Sequence, residues 1–294
     1  MGILLAEALR TEIIGCDSRQ VYRCLDIGTA KPTAAERARM PHRLVDIVEP
    51  AERFSAADYR EAVLPLLAAC AAASRPALFV GGTGLYLRAA LEGLSPAPPA
   101  LPQLRRWIEA LAGDLPGGLH PLLGRVDPDA AARIHRNDRY RIVRALEVHH
   151  LCGEALSARH VRHRTVARAL PARMFAIDLP APELRRRIER RLAEMLEAGL
   201  LEEARGLFEE GLDRSLPALR AVGYPELFSH FRGETSLDAA LEAIRRATWQ
   251  YARRQLTWFR AVPGITWIAG GADVTGEAIA AEIVGRLRRE GSVR

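Results

Sequence analysis

The 294-residue chain has almost no lysine. Lys31 is the only one, and the other 41 basic residues are arginine. Cysteine is scarce too: Cys16, Cys24, Cys70 and Cys152 are scattered and form no CxxC pair. That spacing argues against a zinc or disulfide framework and for reduced thiols in a cytoplasmic protein. No apolar run approaches the roughly 20 residues that cross a bilayer, so no transmembrane helix is expected. The N-terminus shows no basic, apolar and small-residue segments in the order of a signal peptide. No internal repeat is visible. The phosphate-loop pattern GxxxxGK[ST] occurs nowhere in the chain.

What is present is a globular composition. Hydrophobic residues make up 49% of a length that can bury one or two cores. The net charge of +6 leans toward an anionic partner, nucleic acid or diphosphate. From Arg133 to Arg173 ten arginines face three acids, Asp138, Glu147 and Glu154. Such a local excess reads as a phosphate-facing surface. The lone Lys31 hints at a site that needs a compact ammonium which arginine cannot imitate, although chance survival accounts for it as well.

The pattern begins helical at Gly2 to Leu9, then gives a buried strand at Glu12 to Cys16 followed by Asp17-Ser18. A short helix is expected at Thr33 to Arg39, a strand at Arg43 to Val48, and a helix at Ser55 to Ser74 with Ser55 as N-cap. A third strand, Pro76 to Val80, runs into GGTGLY. Alternating strands and helices imply a parallel sheet covered on both faces. After SPAPPALP the chain becomes helical and basic, an inserted lobe over 96–168 within a core of 1–95 and 169–294. Strand pattern returns at Ala172 to Leu179. Helices follow at Pro182 to Ala198, Leu200 to Glu210, Leu216 to Phe231 and Ser236 to Val262. ITWIA is a last strand and Val274 to Arg289 a closing helix.

In open parallel sheets ligands bind beyond the carboxyl ends of the strands. Two turns lie there, one carrying Asp17 and Ser18 and the other Gly81, Gly82, Thr83 and Gly84. A glycine turn at a helix N-terminus offers N–H groups and a positive dipole end to an anion. By itself it marks a tight strand-to-helix connection more often than a ligand site. LDIGTAKP adds Asp26, Thr29 and Lys31, and three polar turns from one sheet edge favour a shared site. In ATWQYARRQLTWFR, Trp249, Ala252, Leu256 and Phe259 fall on one helix face, toward the core. Arg246, Gln250, Arg253, Thr257 and Arg260 fall on a second face without an acid among them, as a phosphate or RNA contact requires. His160 and His163 make an HxxH, and His149-His150 sit on a helix. With no carboxylate or cysteine cluster nearby, surface or core roles outweigh metal ligation, and no metal-ligating residue is assigned.

The segments DSRQVY, DIGTAKP, PHRLVDI, FSAADYR, VGGTGLYLRAALEG, DPDAAARIHRNDRYRIVRALEV, RIERRLAEML, LRAVGYPEL and RRQLTWFR occur in order through nearly the whole chain. As an ordered set they resemble the tRNA dimethylallyltransferase (tRNA isopentenyltransferase) family. The resemblance implies an α/β fold with a P-loop-NTPase-like, nucleotide-binding (ATP-binding) parallel sheet and an inserted helical lobe that clamps the anticodon stem-loop. It implies transfer of a dimethylallyl group from dimethylallyl diphosphate to the exocyclic amine of the adenine 3′ of the anticodon, Mg²⁺, and a cytoplasmic monomer. By motif, Asp17 is the general base, Thr83 contacts the reacting centre and Arg191 holds the diphosphate, with Lys31 as a further diphosphate ligand. Asp17, Ser18, Arg19, Gln20 and Thr83 would face the RNA. So would Arg105, then Tyr140, Arg141, Ile142, Val143 and Arg144, and Arg220, Ala221, Val222, Gly223 and Tyr224. Thr248, Gln250, Arg253, Arg254 and Gln255 complete that set. A flipped-out adenine is implied as well.

One departure is at the front. Family members open with a strand and a glycine-rich phosphate loop, whereas Met1 here falls inside the helix that follows such a loop. The expectation is therefore a transferase whose diphosphate cradle and one sheet neighbour precede Met1. The alternative is a catalytically impaired, tRNA-binding remnant. A nucleotide-kinase-like phosphotransferase is disfavoured by the basic helical insertion and the absent phosphate loop. Prenyl transfer to free adenine nucleotide would not need the clamp.

Overall fold

Helix α1 (Gly2–Leu9) ends on Arg10, whose left-handed conformation turns the chain into β1 (Ile13–Cys16), a strand buried along its whole length. The computed structural model describes residues 1–113, 117–166 and 169–291. Side-chain oxygens start the next helices where the sequence places them. Thr33 and Glu36 cap α2 (Ala34–Arg39) reciprocally, and Ser55 and Asp58 do the same for α3 (Ala56–Ala72). Between them lies β2 (His42–Arg43), and after α3 come β3 (Leu78–Gly81) and α4 (Gly84–Glu92).

Then follow α5 (Pro102–Ala110), α6 (Leu119–Val126), α7 (Pro128–Arg133), α8 (Arg139–Cys152) and α9 (Leu156–Val166). The chain returns to strand at β4 (Met174–Asp178). It continues through α10 (Ala181–Glu197), α11 (Leu200–Glu209), α12 (Tyr224–Phe231) and α13 (Leu237–Arg260), and closes with β5 (Ile265–Ala269) and α14 (Gly276–Arg289).

All strand pairs are parallel, in the orders β2-β1-β3 and β4-β5. The expected single sheet is thus two pieces, with β1 alone on one side of β3 and β5 alone beside β4. Helices α1 and α14 pack against both pieces, through Leu5, Leu78, Phe175, Ile177, Ile268 and Ile283. The main core lies on the other side, around Tyr22, Tyr59, Leu200, Tyr224 and Phe228.

Two expected elements differ. The strand expected at Arg43 to Val48 stops at Arg43, because Leu44 and Asp46 take left-handed φ values of 62° and 57° that no strand tolerates. Only an isolated bridge, Tyr22 with Val48, prolongs the pairing. The helix expected at Leu216 to Phe231 breaks at Gly223, whose φ of 112° is open to glycine alone, and α12 restarts there. The chain divides into two compact units: Met1–Leu91 with Pro171–Arg294, and Glu92–Leu170. The second has its own core of Ile108, Leu123, Ile142, Val143 and Leu146.

Candidate active site

Beyond the carboxyl ends of β1 and β3, two turns are stitched together. Thr83 N–H donates to the Cys16 carbonyl at 3.1 Å, and Ser18 N–H donates to Thr83 Oγ1 at 3.0 Å. Thr83 Oγ1 also lies 3.3 Å from Ser18 Oγ. Asp17 Oδ1 accepts from Arg19 N–H at 2.7 Å and, more weakly, from Gln20 N–H at 3.4 Å. One oxygen of Asp17 therefore shapes its own turn. Beneath, Tyr59 donates to the Gly15 carbonyl at 3.0 Å and stacks on Tyr86 at 4.2 Å, which fixes the end of β1. Cys16 sits beside Asp17, but burial pushes its thiol up to about 12, so it is no nucleophile.

Helix α13 closes the other side. Gln255 Nε2 donates to the Gly82 carbonyl at 3.0 Å, and a Cβ on Gly82 or Gly84 would overlap the Gln255 amide or the Trp258 ring. The glycines of GGTG are thus needed for close helix approach. Helix α10 packs on α13, with the Arg185 guanidinium 4.4 Å over the Trp249 ring, and brings Arg191 to the same place. Arg191 is exposed, yet crowding by protein atoms lowers its guanidinium from the ordinary value, while Asp17 and Glu194 favour its charge. An accessible but crowded cation is one on the wall of a concavity. The structure thus brings together Asp17, Ser18, Thr83 and Arg191.

Other expected ligands point elsewhere. Lys31 is buried in a cage, its ammonium 2.6 Å from Asp26 and also paired with Asp46, which Arg37 holds from outside. That corrects its assignment to the diphosphate. Thr29 is bonded to the Leu25 carbonyl, so the DIGTAKP turn is closed on itself. Gln20 donates its amide protons to the Thr29 and Ala30 carbonyls, and Arg19 reaches the Pro217 carbonyl. Glu203 on α11 accepts the N–H groups of Asp26, Ile27 and Gly28 at 2.7–2.9 Å and the Tyr224 hydroxyl at 2.7 Å. It is the anchor that sequence reasoning missed, and only its distance in sequence hid it. Lys31→Met is expected to destabilise the chain by about 1–3 kcal/mol, since it leaves two carboxylates without their donor. Thermal melting checks this; lost diphosphate binding with an unchanged melt would restore the ligand role.

The expected RNA contacts divide in the same way. Ile142, Val143, Ala221 and Tyr224 are core residues and cannot reach a partner. Arg105 and Arg144 both grip the fully buried Glu147, at 2.9 and 2.6 Å, and Arg144 also donates to the Pro98 carbonyl. Arg220 is exposed but donates to the Arg214 and Ser215 carbonyls. Thr248 bonds its own helix at Ile244, and the Gln255 amide is used on Gly82. Val222 is half-buried and Gly223 serves the turn. By contrast Tyr140 and Arg141 stand out from the lobe, and Gln250, Arg253, Arg254, Arg246, Thr257 and Arg260 are exposed along α13. The lobe's arginine excess is partly neutralised inside it, since Glu154 holds Arg159 and Arg162 as Glu147 holds Arg105 and Arg144. Arg164 and Arg168 of that excess lie outside the described side chains.

Comparison with known proteins agrees with these placements. A family model described as IPP transferase matches residues 20–262. The tRNA dimethylallyltransferase 1 of Citrifermentans bemidjiense is 45% identical over 87% of this chain and 82% of its own length. The tRNA dimethylallyltransferase of Geobacter metallireducens is 44% identical over 87% and 83%. The crystal structure of the tRNA isopentenylpyrophosphate transferase of Bacillus halodurans superimposes with a TM-score of 0.70 at 35% identity, over 99% of this chain and 92% of that one. A eukaryotic dimethylallyltransferase acting on tRNA shares the fold, with a TM-score of 0.83 at 22% identity over 99% and 75%.

Proposed function

The chain belongs to the IPP transferase family, and we propose that it moves a dimethylallyl group from dimethylallyl diphosphate to the N6 amine of the adenine 3′-adjacent to the anticodon of a tRNA. The observation that supports this most is the meeting of a carboxylate, two hydroxyls and an accessible arginine beyond β1 and β3. The reaction forms a bond from N6 to the allylic carbon and breaks the bond from that carbon to the diphosphate oxygen. The electron pair of the broken bond leaves with the diphosphate. In this reading Asp17 takes the amine proton through the oxygen that its turn does not use. Arg191 opposes the charge that grows on the leaving diphosphate, where a fixed cation stabilises the transition state more than the ground state.

Mg²⁺ belongs to the same proposal. No group of three His, Cys, Asp or Glu among the described residues could cage a metal. Mg²⁺ does not need such a cage, because it keeps waters and binds mainly through phosphate oxygens. The Ser18 and Thr83 hydroxyls are oxygen donors of the right kind to complete its shell. When bound, the ion would neutralise charge on the diphosphate. The RNA would lie on the acid-free stripe of α13 and on Tyr140 and Arg141. Among the described residues no helix is long and apolar enough to cross a membrane.

The test is a transfer assay with dimethylallyl diphosphate and an anticodon stem-loop. The expected result is an RNA heavier by one prenyl unit, lost when the adenine beside the anticodon is replaced by guanine. Equal labelling of both RNAs would refute the assigned acceptor. Binding to the stem-loop should weaken steeply with salt. Arg253→Ala and Arg254→Ala together should lower the slope of log K against log salt by about 1–2, the number of phosphates released.

A further inference from the structure

Helix α13 is pinned to the glycine turn at two points one turn apart, Gln255 on the Gly82 carbonyl and Trp258 against Gly84. One turn earlier on the same face stands Tyr251, four residues before Gln255. That register sends its side chain toward Thr83. We infer that the Tyr251 hydroxyl is a further group of the reacting centre, a hydrogen-bond donor to the departing diphosphate. The inference rests on the function proposed above and deepens it.

Three facts support the assignment. First, Tyr251 is within hydrogen-bonding contact of Thr83, and Asp17, Arg19 and Arg254 are the charges that it senses. Crowding and Asp17 together raise its phenol above the ordinary value, so it keeps its proton and acts as a donor. Second, the Tyr251 side chain remains exposed, 37% for the residue, although protein atoms surround it, as Arg191 does. Its hydroxyl is therefore on the wall of the same concavity. Third, the needs of the two substrates differ. The adenine amine requires an acceptor and has Asp17. The diphosphate carries only acceptor oxygens and needs donors. Ser18 and Thr83 already bond each other, whereas the phenol proton has no acceptor fixed by the fold. The Arg254 guanidinium, 5.8 Å over the ring, adds positive charge at that edge.

Tyr251→Phe keeps the ring and removes the hydroxyl. A hydrogen bond to a charged group is worth enough to change affinity by about 10–100-fold. Titration calorimetry with inorganic diphosphate and Mg²⁺ on the full chain should therefore show Kd rising about tenfold or more. Affinity for the stem-loop should stay within about twofold, and so should the melting temperature within a degree or two. Transfer should lose kcat without a change in KM for RNA. Unchanged diphosphate affinity would overturn the inference, and an equal loss of RNA binding would make Tyr251 an RNA contact instead. If the parent chain transfers the prenyl group while Tyr251→Phe binds diphosphate normally, the proposed function stands and this inference falls. If the parent neither binds diphosphate nor transfers, both fall.

Discussion

Asp17→Asn is expected to slow prenyl transfer by ~10²–10⁴-fold and to leave RNA affinity within about twofold. Asparagine still offers an Oδ1 to the Arg19 and Gln20 N–H groups, so the turn after β1 survives. The rest of the frame does not touch the carboxylate: Ser18 and Thr83 hold each other, and Tyr59 holds Gly15. What the amide cannot do is take the amine proton as carbon bonds to nitrogen. Single-turnover transfer rates and filter binding of the stem-loop separate the two effects. A parallel loss of rate and affinity would make Asp17 a structural residue.

The second large effect is on stability. Glu147 is fully buried on α8, and its carboxylate accepts from Arg105, Arg144 and the Leu101 N–H. Glu147→Ala leaves two guanidinium groups and an N–H without their acceptor. Breaking such a buried pair typically costs about 3–5 kcal/mol. Hydrogen exchange should show α5 and α8 opening more readily, with little change in β1, β3 or α13. Burial alone would raise the Glu147 carboxyl, but the hydrogen bonds from Arg105 and Arg144 hold it below the ordinary value. A depressed carboxyl contributes stability above its unfolded pKa of about 4.3, and loses it as pH falls through the lower folded value. The parent lobe should therefore weaken below about pH 4.5, and the Ala variant should lack that part of the acid dependence.

The sequence made some of this readable and hid the rest for identifiable reasons. Helix starts were readable because Thr33, Ser55, Ser236 and Thr275 each cap within three residues, a local interaction. The two turns were readable because polar and glycine residues directly follow apolar strands. Lys31 misled, because its partner Asp46 is placed by a left-handed backbone that no periodicity announces. Arg105 looked free because its acceptor Glu147 is 42 residues away. Tyr224 looked like an RNA contact because motif position does not show burial, and Glu203 takes its hydroxyl. Tyr251 sat between two faces of α13 in the pattern, and only the seating of Gln255 on Gly82 shows where it points.

The most direct measurement is a structure of the chain with an anticodon stem-loop and a thiolo analogue of dimethylallyl diphosphate that cannot react. The account predicts the adenine N6 within about 2.6–3.2 Å of Asp17, with the diphosphate against Arg191 and Tyr251. An adenine still stacked in its loop, or a diphosphate bound away from β1 and β3, would contradict it.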